Sequence, residues 1–479
     1  MRNKKTLPVW EAVPVTGYGA TGKAIAKREG QVIFITGAVP GDVADLRVTK
    51  KKKTWAEATA IRIVEKSADR VDPFCKHFGV CGGCKWQDLS YPKQLAFKQQ
   101  EVTENLIRLG GLELPDVSPI IPSARTTHYR NKLEYTASAF RWFTSEELAT
   151  MGDITDRNAL GFHVPGGFDK VLQVDECHLQ PEPSNSVRNF IRAFAGKQEP
   201  GFYDIRKHEG WLRTVMVRTT LRQAQGGAGE CMVLIAFGQD HPEAQKELLA
   251  AVKTEFPHIT SLLWTINPKG NDTIFDLDIQ TFHGKDHIVE ELVDAGHANL
   301  KFRIGAKSFF QTNPEQTQRM YEVTRELAGL TGTEKVYDLY CGAGSISLFL
   351  ARHCAEVIGA ELVPEAIADA KKNAELNNIS NVTFEAGDLK DLLNADFIAR
   401  HGKPDVLITD PPRAGMHEDV VARIRELGPR VIVYVSCNPA TQARDLSLLK
   451  DMYRITHVQP IDMFPHTYHV ENVVRLERN

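Results

Sequence analysis

Two short segments carry reactive side chains at the points where apolar runs stop. The run DVLITDPP ends in Asp410-Pro-Pro-Arg413, and VIVYVSCN ends in Ser436-Cys437-Asn438-Pro439. In open α/β sheets ligands sit outside the carboxyl ends of the strands, so these two ends are expected side by side over one site. Enzymes that methylate an exocyclic amino group place an aromatic after such an Asp-Pro-Pro element. Here the position is Arg413, and a thiol stands on the adjacent strand. C5 of a uracil ring is a poor nucleophile, but thiolate addition at C6 converts the ring into an enolate whose C5 can attack an electrophilic methyl group. C5 then carries both a methyl group and a hydrogen, and a general base must take that proton before the thiolate can leave. Glu471, which closes the stretch Asp462-Met-Phe-Pro-His-Thr-Tyr-His-Val-Glu471, is the candidate base, with His466 and His469 as supports. A lone cysteine is by default a buried core thiol, but Asn438 and Pro439 predict a sharp loop that exposes Cys437. Glu471 is set apart from an ordinary surface glutamate by its His-rich, Pro-containing neighbourhood.

A methyl donor site is expected on the same sheet. The first strand ends in Asp338-Leu-Tyr-Cys-Gly-Ala-Gly-Ser345, where Gly342 and Gly344 permit close backbone approach; the next strands end at Glu361, suited to ribose hydroxyls, and at Asp388, placed for adenine or its surroundings. A dinucleotide dehydrogenase also combines a Gly-rich turn with an acid, but its pyrophosphate turn needs a third glycine for helix packing. After Gly344 this chain reads Ser-Ile-Ser-Leu. The turn therefore looks like an S-adenosylmethionine turn.

These ends belong to a regular alternation. From Lys301 onward strand-like and helix-like stretches alternate, which predicts a doubly wound, mostly parallel, Rossmann-like sheet. Upstream, strand-like stretches such as Leu133 to Phe140, Leu212 to Thr219 and Cys231 to Phe237 mix with helical ones, among them Pro92 to Leu109 with apolar Leu95, Val102, Leu106 and Leu109. The fold class is α/β with three domains: a β-barrel over 1–66, a central α+β domain over 67–300, and the catalytic domain over 301–479. QAQGGAGE, 223–230, reads as a turn or hairpin tip. In the barrel, short glycine-punctuated runs follow one another and Ala56 to Val64 is expected to close it.

A length of 479 residues, 42% hydrophobic and 25% charged content describe a globular chain. Neither a secretion signal nor an apolar run of membrane-spanning length is evident, so a cytoplasmic protein without membrane association is expected. Net charge is −3, so nucleic-acid contact has to come from local patches. Residues 1–60 hold one, with eleven Lys and Arg (Arg2, Lys4, Lys5, Lys23, Lys27, Arg28, Arg47 and Lys50 to Lys53) against five acids. Tyr18 and Trp55 could stack on bases there, burial being the competing reading for each.

Eight cysteines in such a chain point to metal or catalytic work, not disulfides. Cys75-x5-Cys81-x2-Cys84, with Cys177 at long range, offers four thiolates, enough for tetrahedral zinc or for an iron–sulfur cluster, and spacing alone does not separate these. A radical-methionine enzyme would keep three cysteines in C-x3-C-x2-C, which this spacing is not. Cys231, Cys341 and Cys354 are read as non-ligating.

The motifs SFFQTN (Ser308 to Asn313), DLYCGAGSISL, DPPRAG, SCNPATQARD and DMFPHTYHVE together resemble the RNA uracil-5-methyltransferases of the bacterial 23S ribosomal RNA type, over essentially the full length. The resemblance implies an S-adenosylmethionine-dependent enzyme producing 5-methyluridine, with Cys437 as nucleophile and Glu471 as base. It implies donor contacts from Gln311, Tyr340, Glu361 and Asp410, with Asp388 and Ser345 carried over as well, although Ser345 departs from the asparagine often found there. CKHFGVCGGCKWQ and DECHL resemble elements that hold a 4Fe-4S cluster, which implies Cys75, Cys81, Cys84 and Cys177 as ligands in a structural or RNA-folding role. The N-terminal region resembles a TRAM domain, an oligonucleotide-binding (OB)-like β-barrel that grips RNA. The target should be a loop uridine flipped into the pocket, because a stacked ring cannot meet both thiolate and donor; Arg413 would orient the ring or a phosphate. The alternatives are a transfer-RNA methyltransferase of the same chemistry and a catalytically silent RNA-binding or ribosome-assembly factor, the latter disfavoured by Cys437 with Glu471. No obligate protein partner is expected.

Overall fold

Val406–Thr409 and Val431–Ser436 are buried at every position, as strands covered on both faces must be. A computed structural model describes all residues except 1–6, 20–21, 151, 153, 155, 200, 222–228 and 295. In it these two strands form the middle of a seven-stranded sheet ordered Val382–Ala386, Glu356–Glu361, Lys335–Leu339, Val406–Thr409, Val431–Ser436, Glu471–Arg478, Tyr453–Ile461. The first five run parallel, and Glu471–Arg478 is antiparallel to both neighbours. Helices between the strands begin at recognisable signals. Asn313 caps Pro314–Ala328 by accepting from the Gln316 amide, and Asn438 caps Pro439–Ser447 through the Ala440 amide, each with proline in the first turn. The second cap fixes the strand–helix turn in which Cys437 sits.

The central region is built on an eight-stranded sheet. Its core strands Lys132–Ser138, Leu212–Thr219, Cys231–Phe237 and Ser261–Ile266 include those expected from sequence, with helices Ser184–Ala195 and Pro242–Glu255 packed on one face. A separate hairpin pairs His287–Leu292 with Leu300–Gly305, so its second strand begins where the central and catalytic regions were divided in sequence. Most of the QAQGGAGE stretch lies outside the described residues.

The expected helix over Pro92 to Leu109 is an α-helix, Tyr91–Glu104, that passes into a π-turn at Asn105–Leu109. Its buried face carries Gln94, Lys98, Val102 and Leu106, while Leu95 is only half-buried and Leu109 is exposed. The apolar stripe read from sequence was therefore displaced: polar side chains occupy half of the true inner face.

At the N-terminus six strands pair in the order Val9–Pro14, Val43–Lys51, Trp55–Glu65, Gln31–Thr36, Ala24–Arg28, Gly17–Tyr18. The two outermost strands are joined by Val15 and Thr16 alone, so the sheet has to curl until its edges approach each other. It is a curled sheet, and ladder pairing between those edges is not present among the described residues. Trp55–Glu65 does not close it as expected but lies in its interior, between Val43–Lys51 and Gln31–Thr36. No helix among the described residues is long and apolar enough to cross a membrane.

Ile408 is fully buried on the middle strand of the seven-stranded sheet. Ile408→Ala is expected to lower stability by about 2–5 kcal/mol through lost burial and a residual cavity, read as a lower urea midpoint for the catalytic region; an unchanged midpoint would contradict this placement of the core.

Candidate active site

The ladder register brings the two reactive groups together. Ser436 pairs with Asn472 across antiparallel strands, so the next position outward sets Cys437 opposite Glu471. Asp410 ends the neighbouring strand, whose Thr409 pairs with Tyr434. Cys437 is half-buried and Glu471 buried. Burial raises all three groups. Asp410 is pushed up to about 7 by burial and then by Asp338. Glu471 lies well above the carboxylate range through burial and Asp410. Cys437 rises to about 12 through burial, Glu471 and Asp410. Arg413 opposes the shift at both Cys437 and Glu471. All three groups therefore hold their protons more tightly than they would in water, and nearby positive charge lowers that affinity.

Arg413 is tied to the same loop. Its carbonyl accepts from Asn438 Nδ2 at 3.0 Å and Thr441 Oγ1 at 3.3 Å, and its guanidinium donates to His469 Nδ1 at 2.9 Å. Burial and the cations Arg413, Lys98 and Arg130 bring His469 down to about 4, so at neutral pH its imidazole is uncharged and Nδ1 can accept. His466 is likewise lowered to about 4, mainly by burial. It sits at φ 64°, its amide donating to Gln94 Oε1 at 2.9 Å and its carbonyl accepting from the Lys85 and Trp86 amides.

The donor turn follows Leu339. Tyr340, Gly342 and Gly344 all have positive φ, and nothing lies within 4 Å of a Cβ built on Gly342, whereas at Gly344 one would meet Phe384 at 2.9 Å and Ala370 at 3.0 Å. Gly342 thus leaves an open cradle and Gly344 allows helix Ser345–Ala351 to close on the sheet. Glu361 accepts from the Gly342 amide at 3.2 Å and the Val363 amide at 3.0 Å, and exposed Leu362 and Val363 form an apolar ledge beside it. Asp338, fully buried, accepts from Ser347 Oγ at 2.5 Å, while its other oxygen has no partner. Gln311 is half-buried, with its carbonyl accepting from Asn131 Nδ2 at 3.3 Å. Ser345 shares a hydrogen bond with Tyr321 at 2.8 Å, and Asp388 caps the short helix Leu389–Leu392 while pairing with Lys390. A cradle, an acid and an apolar ledge fit a nucleoside-bearing donor.

Cys75, Cys81, Cys84 and Cys177 line one cavity of about 880 Å³, whose wall also includes Tyr468 and His469. Burial raises Cys81 to about 11 and Cys84 to about 12. Among the described residues, a set of three donor groups within 4.8 Å of one another is Asp294, His297 and His353. Gly82 approaches closely enough that a Cβ would meet the His163 carbonyl at 2.6 Å. Cys231, Cys341 and Cys354 are buried and do not line this cavity.

Tyr18 packs on Trp86 and Phe97, with ring centroids 4.6 and 5.1 Å apart, so it docks the N-terminal sheet onto the cysteine segment. Trp55 carries Lys50 at 4.9 Å, and Trp10 carries Arg28 and Lys51. Arg2, Lys4 and Lys5 lie outside the described residues. Sequence reasoning missed the polar face of helix Tyr91–Glu104: Lys98 forms a fully buried ion pair with Asp462 at 2.6 Å. The recurrence of Gln94, Lys98, Val102 and Leu106 at every fourth residue was the available signal.

The sequence model of the tRNA (Uracil-5-)-methyltransferase family matches residues 278–479. An RNA methyltransferase of Bacteroides thetaiotaomicron is 53% identical over 461 residues, covering 96% of this chain and 99% of that one. One from Porphyromonas gingivalis is 50% identical and covers 97% and 99%. Among solved structures, the Pyrococcus abyssi tRNA (uracil-54, C5)-methyltransferase in complex with S-adenosyl-L-homocysteine is similar at TM-score 0.73 and 28% identity, covering 98% of this chain and all of that one.

Two outcomes follow from this geometry. Gly344→Val should abolish binding of S-adenosylhomocysteine in calorimetry, because the side chain meets Phe384 and Ala370 at a positive φ. The Asp410 carboxyl titrates near 7 in the fold against an ordinary 3.8, so its burial penalty is absent below about pH 4, grows between about pH 4 and 7, and is complete above. Asp410→Asn should therefore raise the melting temperature at pH 8 and leave it unchanged at pH 4; an equal gain at both would refute the assignment.

Proposed function

Because the chain belongs to the RNA uracil-5-methyltransferase family and is an S-adenosylmethionine-dependent enzyme, we propose that it methylates C5 of an RNA uridine by covalent catalysis through Cys437. The observation that carries the reading is the register that sets Cys437 opposite Glu471, with Asp410 on the neighbouring strand. A donor site formed by Gln311, Tyr340, Glu361 and Asp410, with Ser345 and Asp388 at its margins, is supported by the glycine cradle and the ledge at Leu362 and Val363. When bound, S-adenosylmethionine supplies an electrophilic methyl group on a positively charged sulfur.

Cys437, half-buried and with its proton released to solvent, adds as thiolate to C6 of the flipped ring, and the C5–C6 π electrons become available at C5. Once C5 is methylated, Glu471 takes the C5 proton, the C5–C6 double bond re-forms and the C6–S bond breaks, returning the thiolate. Glu471 suits this role because its raised affinity for protons makes it a stronger base than an exposed carboxylate. Arg413 stabilises the thiolate and is held in place by neutral His469.

Cys75, Cys81, Cys84 and Cys177, four thiols on one cavity, would hold a 4Fe-4S cluster, the choice over zinc resting on the sequence resemblance. The cluster would supply structural cross-linking, since methyl transfer consumes no electrons. The curled N-terminal sheet, with Lys50, Lys51 and Arg28 over its tryptophans, is a TRAM-like surface for single-stranded RNA. The substrate proposed, on the sequence resemblance, is 23S ribosomal RNA. A transfer-RNA substrate is the second reading, favoured by the tRNA (uracil-54, C5)-methyltransferase of Pyrococcus abyssi, whose structure matches 98% of this chain.

Incubation with labelled methyl donor and separate rRNA and tRNA pools should label C5 of uridine in the rRNA pool; label confined to tRNA would move the assignment to the second reading. Cys437→Ala should lose more than about a thousandfold in rate and form no SDS-stable adduct with RNA; retained methylation would sink the covalent mechanism. Anaerobically purified protein should show the broad visible absorbance of an iron–sulfur cluster, lost in Cys84→Ser; a colourless protein holding one zinc would overturn that part.

A further inference from the structure

The segment that carries Glu471 into place, from Asp462 to Val470, has neither helix nor strand of its own, yet it is mostly buried. Its backbone is held from outside. Five consecutive carbonyls accept in turn from Gln316 Nε2 (Asp462), Asn313 Nδ2 (Met463), Lys98 Nζ (Phe464), Tyr129 Oη (Pro465) and the Lys85 and Trp86 amides (His466). Lys98 reaches both backbone and side chain, bonding the Phe464 carbonyl at 3.0 Å and the Asp462 carboxylate at 2.6 Å, and is the charged group that does so. Tyr91 completes the pair by donating to the other Asp462 oxygen at 2.7 Å. Also close to the ammonium are the Trp86 ring, 6.0 Å from Nζ, and Glu101, and its charge is felt at His466 and His469.

The same network reaches the donor side. Asn313, which bonds Met463, closes the Ser308–Asn313 motif, and Asn131 holds the Gln311 and Thr312 carbonyls at 3.3 and 2.8 Å. The donor-side and base-side segments are therefore fixed to one another through side chains from outside the seven-stranded sheet.

We propose that Lys98 is a positioning residue for Glu471: paired with Asp462, it fixes the turn that sets the carboxyl against the C5 proton. This rests on the reading of Glu471 as the base. It separates two steps of the reaction, because thiolate addition and methylation need Cys437 and the donor, whereas proton removal needs the carboxyl at the correct distance. A displaced carboxyl leaves the methylated ring bound to Cys437.

Removing one partner leaves a buried charge unpaired and can unfold the chain, so Lys98→Met is accompanied by Lys98→Met/Asp462→Asn, which removes both charges. The measurement is the lifetime of the SDS-stable enzyme–RNA adduct on a mixture of unmodified 23S rRNA and tRNA transcripts. S-adenosylhomocysteine affinity is measured in parallel. In the double variant the adduct should persist about 10- to 100-fold longer than in the parent, as in Glu471→Gln, with donor affinity retained. A merely structural role would lower folded fraction, donor binding and adduct formation together and would overturn the proposal. So would a folded double variant that releases RNA at the parental rate while Glu471→Gln accumulates adduct. If Glu471→Gln itself accumulates none, the base assignment falls instead, and the positioning role with it.

Discussion

The arrangement of the site depends on satisfying the backbone of one buried, irregular segment. A buried carbonyl left without a partner costs about as much as a lost hydrogen bond, and Asp462 to His466 offers five with no ladder to receive them. Each finds a donor from a different part of the chain, and the buried Lys98–Asp462 pair at 2.6 Å is the charged centre of that set. An ion pair so deep adds little net stability against an apolar alternative. What it contributes is direction, since neither group can leave the other without stranding a charge, and the turn before Glu471 is thereby limited to one geometry.

The site is otherwise costly to assemble. Asp338, Asp410 and Glu471 crowd carboxyls into a poorly solvated space, with Arg413 the cation that opposes the rise in pKa at Glu471 and Cys437. Raised proton affinity relieves that repulsion, and a positive charge such as a sulfonium would relieve it further. The neutral state of His469 belongs to the same balance: it can accept from Arg413 because burial and nearby cations keep it unprotonated.

The central region is structurally inseparable from the catalytic sheet. Residues 118–121 run along the strand Tyr453–Ile461, with the Ser118 and Ile121 amides donating to the Val458 and Pro460 carbonyls and the Asp462 amide donating back to Ile121. The cysteine segment grips His466 directly after Cys84, and Tyr18 of the N-terminal sheet packs at a tilt on Trp86 within that segment. A perturbation of the cysteine loop is thus a few bonds from the base.

Much of this was determined by sequence alone. Apolar runs that stop at Asp410, Cys437, Glu361 and Asp338 mark strand ends, because a buried parallel strand reads as a continuous apolar stretch and its end is where chemistry can be exposed. The glycines at 342 and 344, the caps Asn313 and Asn438, and the central strands at Leu212 and Cys231 are local signals of the same kind. The long-range groupings were named from sequence and resemblance, but their geometry was not legible. That Cys437 faces Glu471 follows from antiparallel register, and that Cys177 joins Cys75, Cys81 and Cys84 on one cavity follows from how the central sheet folds back. The inner face of helix Tyr91–Glu104 was misjudged because periodicity ranks residues by hydrophobicity, and Gln94 and Lys98 are buried for their hydrogen bonds. Whether a polar side chain lies inside depends on a partner elsewhere in the chain, and tertiary structure alone supplies that partner.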